Sequence, residues 1–463
     1  MTLIKSISGI RGTIGGLEGE ALTPNDVVKF TSAFGHWAKS ATDINKIVIG
    51  RDARPSGRLI SQLVSATLQS MGIDVVDLGL STTPTVELAV PVENAAGGII
   101  ITASHNPVGW NALKLLNQHG EFISADDGRQ VLDIADSNTV QYALSKDLGK
   151  YSQNDTYIDY HIDRIVELPL VDVEAITNRN FKIAVDAVNS TGGIAIPKLL
   201  ERLGVKTFET FYAEPTGLFP HNPEPLPENI THLCNEVESG RFDLGIVVDP
   251  DVDRLAFVSE MGEPYGEEYT LVMIADYILK NTKGNSVSNL SSTRALKDIT
   301  LKNGGTYAAS AVGEVNVVQK MKETNAVIGG EGNGGIILPE LHYGRDALVG
   351  IALFLSHLAR FGKNASLLRA MYPNYHISKN KIDLTPEIDV DRVLEEVKEK
   401  YKKQPINDID GLKIEFDDEW VHLRKSNTEP IIRIYSESGT LATADHLSNK
   451  IMMDIKEIVT ESV

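Results

Sequence analysis

Gly98-Ile99-Ile100-Ile101-Thr102-Ala103-Ser104-His105-Asn106-Pro107 is the stretch whose reading decides the fold. Its apolar, β-branched start reads as a buried strand that empties into a polar turn. Asn106-Pro107 closes the turn, because the residue before a proline is pushed out of the helical region. Ser104 therefore belongs on a fixed loop at the carboxyl end of a strand, where open α/β sheets bind ligands. A serine beside a histidine suggests a nucleophile. Alone, the six polar-turn residues read first as an ordinary turn; the loops downstream change that reading.

Working outward, the same unit recurs. Ile47–Gly50 is a short strand, followed by Arg51-Asp52-Ala53-Arg54-Pro55-Ser56-Gly57, a helix over Leu59–Met71 closed by Gly72, and a strand over Ile73–Leu78. A second copy runs from the strand Lys182–Asp186 through a helix ending at Leu203, with Gly204 as cap, to a strand over Val205–Phe208. It ends in Leu244–Val248 and the loop Asp249-Pro250-Asp251-Val252-Asp253-Arg254. A third starts near Asn285 and ends in Ala326–Ile328 and the loop Gly329-Gly330-Glu331-Gly332-Asn333-Gly334-Gly335. Leu348–Leu355 reads as a buried helix. From about Tyr375 the composition changes to a compact β-α-β-β-β-α pattern whose central loop is Arg424-Lys425-Ser426-Asn427-Thr428-Glu429-Pro430. The expected fold is α/β: three tandem α/β domains with mostly parallel mixed sheets, plus a smaller α+β C-terminal domain. The boundaries expected are 1–150, 151–255, 256–372 and 373–463.

With 463 residues, 42% hydrophobic and 23% charged, the chain has a globular composition of several domains. Its net charge of −19 argues against a nucleic-acid partner and leaves room for a small anion held by local Arg and Lys. The single Cys234 excludes an internal disulfide and fits a reducing cytoplasm. No signal peptide is evident in residues 1–15, and no apolar run reaches the roughly 18 residues of a membrane span.

Four loops carry chemistry. Asp249, Asp251 and Asp253 lie at i, i+2, i+4, so an extended backbone points all three to one side. Converged carboxylates repel, so either a hard cation sits between them or the loop splays them apart, and oxygen-only ligands suit Mg²⁺. A calcium loop is disfavoured by Arg254 where that loop needs glycine. An aspartyl nucleophile of phosphatase type at Asp249 ranks lower. Ser104 lacks a G-x-S-x-G elbow, but a phosphate on it would offer the metal a further oxygen, and Lys114 can hold that phosphate or move a proton. Glu331 and Asn333 can bind hydroxyls from their glycine-rich loop, which is no P-loop; a tight hairpin is the plain alternative. Arg424, Ser426, Asn427 and Thr428 make a phosphate cradle to which Arg433 can add a bidentate contact. In Ser8-Gly9-Ile10-Arg11-Gly12 a guanidinium is bracketed by glycines, either a solvated turn or an anion contact.

Taken together and in this order, the four loops closely resemble the α-D-phosphohexomutase family. The resemblance implies four domains around one cleft, the fourth mobile. It implies that Ser104 is a phosphoserine and that it holds Mg²⁺ with Asp249, Asp251 and Asp253. Glu331 and Asn333 would bind sugar hydroxyls, and Arg424, Ser426, Asn427, Thr428 and Arg433 the non-reacting phosphate. Arg11, His105, Lys114 and Arg254 would line the transfer site, with Lys114 or Arg11 as general acid/base. The implied reaction moves a phosphoryl group between O1 and O6 of a phosphorylated hexose or hexosamine through a hexose 1,6-bisphosphate, in a cytoplasmic monomer or homodimer. Many bacterial members carry Ser and His where this chain has Asn333 and Gly335, which bears on sugar choice. The Ser8–Gly12 opening and the Thr428-Glu429-Pro430 ending resemble phosphoglucosamine mutases, with phosphoglucomutase or phosphomannomutase as the alternative within the family. Outside it stand a Mg²⁺-dependent sugar phosphatase and a non-catalytic phosphosugar-binding protein.

Overall fold

The computed structural model describes residues 2–6, 9–137, 139–384, 388–425 and 431–461. Four sheets carry the fold. In the first, the strands run in the order Ile4–Ser6, Gly9–Thr13, Trp110–Leu116, Gly97–Ile101, Lys46–Arg51, Asp74–Leu80, Tyr151–Gln153. The second is ordered Leu255–Ser259, Leu244–Val248, Lys182–Asp186, Thr207–Phe211, and the third Tyr307–Ser310, Asn285–Asn289, Ala326–Glu331, Gly335–Ile337. The fourth is antiparallel throughout: His376–Asp383, Ile431–Ser438, Trp420–Lys425, Leu412–Glu415, Ile406–Asn407.

One device recurs in the first three units. A parallel strand runs into the functional loop, and the chain returns as an antiparallel neighbour: Gly97–Ile101 with Trp110–Leu116, Leu244–Val248 with Leu255–Ser259, Ala326–Glu331 with Gly335–Ile337. Each loop is thereby pinned on both sides at the carboxyl end of a buried strand. The helix closures recur too. Gly72, Gly204 and Gly304 sit at φ near +76° (+75°, +77° and +76°). In each case the glycine N–H and the following N–H bond back to the last turn: Gly72 to Gln69 and Ile73 to Leu68, Gly204 to Glu201 and Val205 to Leu200, Gly304 to Leu301 and Gly305 to Thr300. This is the Schellman pattern, which satisfies carbonyls that a helix end otherwise leaves orphaned.

That closure explains one departure from the sequence reading. Val205 spends its N–H on the helix and buries its side chain, so the strand starts at Thr207 rather than Val205. The glycine-rich stretch also differs. The strand continues through Gly329 and Gly330 to Glu331, which pairs with Gly335, so the expected loop is a short hairpin turn. The domain boundaries expected at 150/151 and 255/256 fall short as well. Tyr151–Gln153 joins the first sheet as a parallel edge partner of Asp74–Leu80, and Leu255–Ser259 joins the second as the return strand of the loop it follows.

The second and third units share one core. It runs without a break from Ile158 and Ile183 through Phe257 and Ile274 to Ile336 and Leu358. At its middle lies the helix Ala347–Phe361, whose residues 347–358 are all buried, with Phe354 stacked on Phe257 at 3.9 Å. The first and fourth units keep their own cores. No helix among the described residues is long and apolar enough to cross a membrane.

Candidate active site

Ser104 sits in a left-handed conformation, φ +48°, which an L-residue other than Gly, Asn or Asp seldom adopts. Its N–H donates to Thr102 Oγ1 (2.9 Å), and Thr102 Oγ1 donates to Asp52 Oδ2 (2.7 Å). The buried Arg54 guanidinium holds the rest of the turn. It donates to the carbonyls of Ser104, Asn106 (2.6 Å), Pro107 (2.6 Å) and Trp110 (3.0 Å), while its Nε donates to Asp52 Oδ2 (2.9 Å). One planar fork thus fixes the loop that the Asn-Pro pair only terminates.

The aspartates converge, but not through extended backbone. The chain turns after Val248, and Val252 takes φ +62°, unusual for a β-branched residue, held by Ala347 N–H donating to its carbonyl (3.1 Å). One carboxylate oxygen from each of Asp249, Asp251 and Asp253 then lies within 4.8 Å of the others, all three residues being fully buried. Ser104 Oγ donates to Asp249 Oδ2 at 2.7 Å, and Asp249 Oδ1 accepts the N–H groups of Asp253 and Arg254, each at 3.1 Å. Burial, then Asp253 and Asp251, push the Asp249 carboxyl well above the usual carboxylate range. With its oxygens committed this way, Asp249 is poorly placed as an aspartyl nucleophile.

Lys114 projects from the Trp110–Leu116 strand to Asp251 Oδ2 (2.7 Å) and Asp253 Oδ2 (3.4 Å). Burial pushes this ammonium down, but Asp251 and Asp253 outweigh it and hold it above its ordinary value. Asp251, which also accepts from Thr83 Oγ1 (2.5 Å), is pushed up by burial yet held below the carboxylate range by Lys114. Its two carboxylate partners hold Lys114 cationic here. Arg11 pairs in register with Ala112, two residues from Lys114 on the same face, and burial lowers its pKa. His105 Nδ1 lies 3.3 Å from Ser104 Oγ, and burial followed by Arg254 brings that imidazole down to about 3, so it is neutral at pH 7. Arg254 donates from Nη1 to Glu224 Oε1 (2.7 Å).

The third unit reaches the same place through Arg345, a residue the sequence reading missed. Its guanidinium contacts Asp253 Oδ2 (2.7 Å), Glu314 Oε2 (2.8 Å) and Glu331 Oε2 (3.2 Å). Glu331 Oε1 accepts from Asn289 Nδ2 (2.9 Å) and from Gly313 N–H (3.1 Å), and Asn333 Nδ2 lies 3.4 Å from its Oε2. Ser104, the aspartate loop and the Glu331 hairpin therefore form one connected site. Arg424 and Arg433 stand directly opposite each other on the fourth sheet, with Arg424 paired to Asp410 (3.0 Å). Among the described residues neither makes a hydrogen bond or ion pair to the other three loops. Ser426, Asn427, Thr428 and the opening Ser8 lie outside those residues. For Arg54 the only sequence signal is the polar run after a strand at 51–57. For Arg345 it is an arginine just before the buried helix.

The residues fit a divalent hard cation. Asp251 Oδ1 and Asp253 Oδ1 are buried with no hydrogen-bond partner, and every donor in the aspartate set is oxygen.

Four family models cover the chain in order: phosphoglucomutase/phosphomannomutase alpha/beta/alpha domain I over residues 3–141, domain II over 159–262, domain III over 266–375 and the C-terminal domain over 385–452. The chain belongs to the phosphoglucomutase/phosphomannomutase family. Its members are phosphohexomutases, isomerases that move a phosphoryl group within a sugar. A phosphoglucomutase/phosphomannomutase of Thermococcus kodakarensis is 36% identical over 434 residues, 92% of this chain and 94% of the relative. A phosphoglucosamine/phosphogalactosamine mutase of Sulfurisphaera tokodaii is 31% identical over 460 residues, 97% of this chain and 98% of the relative. Among solved structures, a phosphoglucomutase/phosphomannomutase family protein of Burkholderia thailandensis superimposes with a TM-score of 0.85 at 25% identity, covering 98% of both chains.

Proposed function

We propose that this phosphohexomutase interconverts glucosamine 6-phosphate and glucosamine 1-phosphate through phosphorylated Ser104 and a hexosamine 1,6-bisphosphate. The observation that carries the reading is Ser104 Oγ at 2.7 Å from Asp249 Oδ2, inside a set of three buried aspartates. A phosphate on that oxygen would enter a pocket already lined by Lys114 and neighboured by Arg11, Arg254 and Arg345. The amino sugar is supported by the Sulfurisphaera relative and by the resemblance of the Ser8–Gly12 opening and the Thr428-Glu429-Pro430 ending to phosphoglucosamine mutases.

The chain's own groups have distinct parts in this scheme. Arg54 and Asp52 aim Ser104. Ser104 Oγ gives up its phosphoryl group to the sugar hydroxyl, and the hydroxyl's proton leaves as the serine oxygen gains one. Neutral His105 lies beside Oγ, the oxygen that gains the proton, whereas Lys114 and Arg345 stay cationic and neutralise phosphate charge. Glu331 and Asn333 hold sugar hydroxyls. Arg424 and Arg433, with Ser426, Asn427 and Thr428, hold the phosphate that does not react. Mg²⁺ held by Asp249, Asp251 and Asp253 would supply electrostatic stabilisation of the transferring group.

The test is a side-by-side turnover assay with Mg²⁺, a catalytic amount of hexose 1,6-bisphosphate, and the phosphates of glucosamine, glucose and mannose in turn. A tenfold or greater advantage in kcat/KM for glucosamine phosphate is expected. A glucose or mannose preference, which the Thermococcus relative favours, would keep the mutase and change its substrate. Ser104→Ala should abolish isomerisation with the circular dichroism spectrum unchanged. Net phosphate release by wild type without isomerisation would instead indicate a phosphatase.

A further inference from the structure

A second cluster of ligating side chains lies where the first three units meet. Asp346 caps the Ala347–Phe361 helix: its Oδ1 accepts from the N–H groups of Leu348 (2.8 Å) and Val349 (3.2 Å). Its Oδ2 faces His161 Nε2 at 2.9 Å and His342 Nε2 at 3.3 Å. The far nitrogen of each ring meets an oxygen from the Thr83–Val92 helix: His161 Nδ1 lies 3.0 Å from Thr85 Oγ1, and His342 Nδ1 3.4 Å from Glu87 Oε2. His161 has the arrangement of a metal-ligating histidine, one ring nitrogen toward the ion and the other on a hydroxyl that sets tautomer and orientation, and a small shift of Glu87 would give His342 the same.

Two further observations point to a ligand. Glu87 is 1% exposed, yet neither of its oxygens has a hydrogen-bond partner, and neither does His342 Nδ1. Buried polar atoms left this way call for an ion or a water nearby. A side chain at Gly344 would collide with Glu87 Oε2, so a glycine there lets the carboxylate approach. His342 also lines a cavity of ≈ 380 Å³ together with Pro91, Tyr160, Arg164 and Glu340.

We propose that this junction binds a divalent transition ion of the zinc class through His161 Nε2, His342 Nε2 and Asp346 Oδ2. Two imidazoles and a carboxylate suit zinc, whereas magnesium takes oxygen ligands. Ligand atoms around tetrahedral zinc stand roughly 3.4 Å apart, and the separations of 2.9 and 3.3 Å from Asp346 Oδ2 need only small shifts to reach that. Because His161 comes from the second unit, His342 and Asp346 from the third, and Thr85 and Glu87 from the first, the bound ion ties three units together.

The experiment uses the full chain, stripped with chelator, loaded with excess Mg²⁺ and titrated with Co²⁺. Expected are intense visible bands of a low-coordinate, nitrogen-ligated cobalt, saturating at one ion per chain, displaced by Zn²⁺, and accompanied by a higher Tm. Asp251→Asn should keep these bands, whereas His342→Asn and His161→Gln should lose them. If His161→Gln does not fold, His342→Asn alone decides, since that side chain lies at the cavity rim. Absence of the bands in wild type, or their loss in Asp251→Asn with retention in His342→Asn, overturns the proposal.

Discussion

At the scale of single residues, Arg54 makes the point that a motif's neighbours are read less easily than the motif. Its partners are mostly backbone carbonyls some fifty positions downstream, which carry no side-chain signature in sequence. Lysine keeps the charge but has no planar fork. Arg54→Lys should lose at least two charge-assisted bonds, costing about 3 kcal/mol, read by urea unfolding, together with a large fall in kcat as Ser104 loses its aim. Acid sensitivity is also a residue-level matter. Burial lowers His105 to about 3 and His357 and His422 to about 4, against an ordinary 6.5. Between those values the unfolded chain binds protons that the folded chain refuses. Stability is therefore full above about pH 6.5 and falls as pH drops toward 4. Urea midpoints measured from pH 7.5 to 4.5 should fall, and His422→Gln should flatten the slope.

At the scale of elements, the strand-helix-glycine-strand unit was legible because its signals are local: an apolar run, a helical period and a glycine at the end. The return strands were not, because a short apolar run after a loop does not announce which neighbour it joins. Nor did the Asp249–Asp253 spacing reveal the left-handed Val252 that brings the carboxylates together. The repeated helix closures permit a graded test. A Cβ at Gly304 meets nothing within 4 Å, so Gly304→Ala should cost only the left-handed strain, ~1 kcal/mol. At Gly204 a Cβ would run into Thr177, so Gly204→Ala should cost clearly more in the same chemical-denaturation series.

At the scale of the whole molecule, the sequence indicates four units, and four sheets are present, but the energetic divisions differ. The second and third units share their core, and the Phe257–Phe354 stack joins them. Calorimetry should find them melting in one transition, and Phe354→Ala should lower that transition by about 3–5 kcal/mol. The shared core was not legible because the contact pairs residues about a hundred positions apart. The fourth unit docks on the third through polar contacts instead: Lys413 Nζ to Leu290 carbonyl (2.8 Å), Arg294 N–H to Glu437 (2.9 Å) and Ser291 to His422 (3.0 Å). Burial brings Lys413 down to about 8. Lys413→Met should loosen this unit alone, seen as faster protease cleavage between the helix Ala365–Arg369 and the strand His376–Asp383 with the main transition unchanged.

The outer face of that fourth sheet has a practical consequence. Lys381, Arg433 and Arg424 sit side by side on three neighbouring strands, Lys381 opposite Arg433 and Arg433 opposite Arg424. Among the described residues, Asp383 and Asp410 are paired with the outer two, and like charges so close repel. Whatever oxyanion is in the storage buffer will settle there. Phosphate or sulfate bound there should stabilise the purified protein and, on the proposed reading of Arg424 and Arg433 as the cradle of the unreacting phosphate, should raise the KM recorded in it. Assay values taken in phosphate buffer and in a zwitterionic buffer should therefore not be expected to agree.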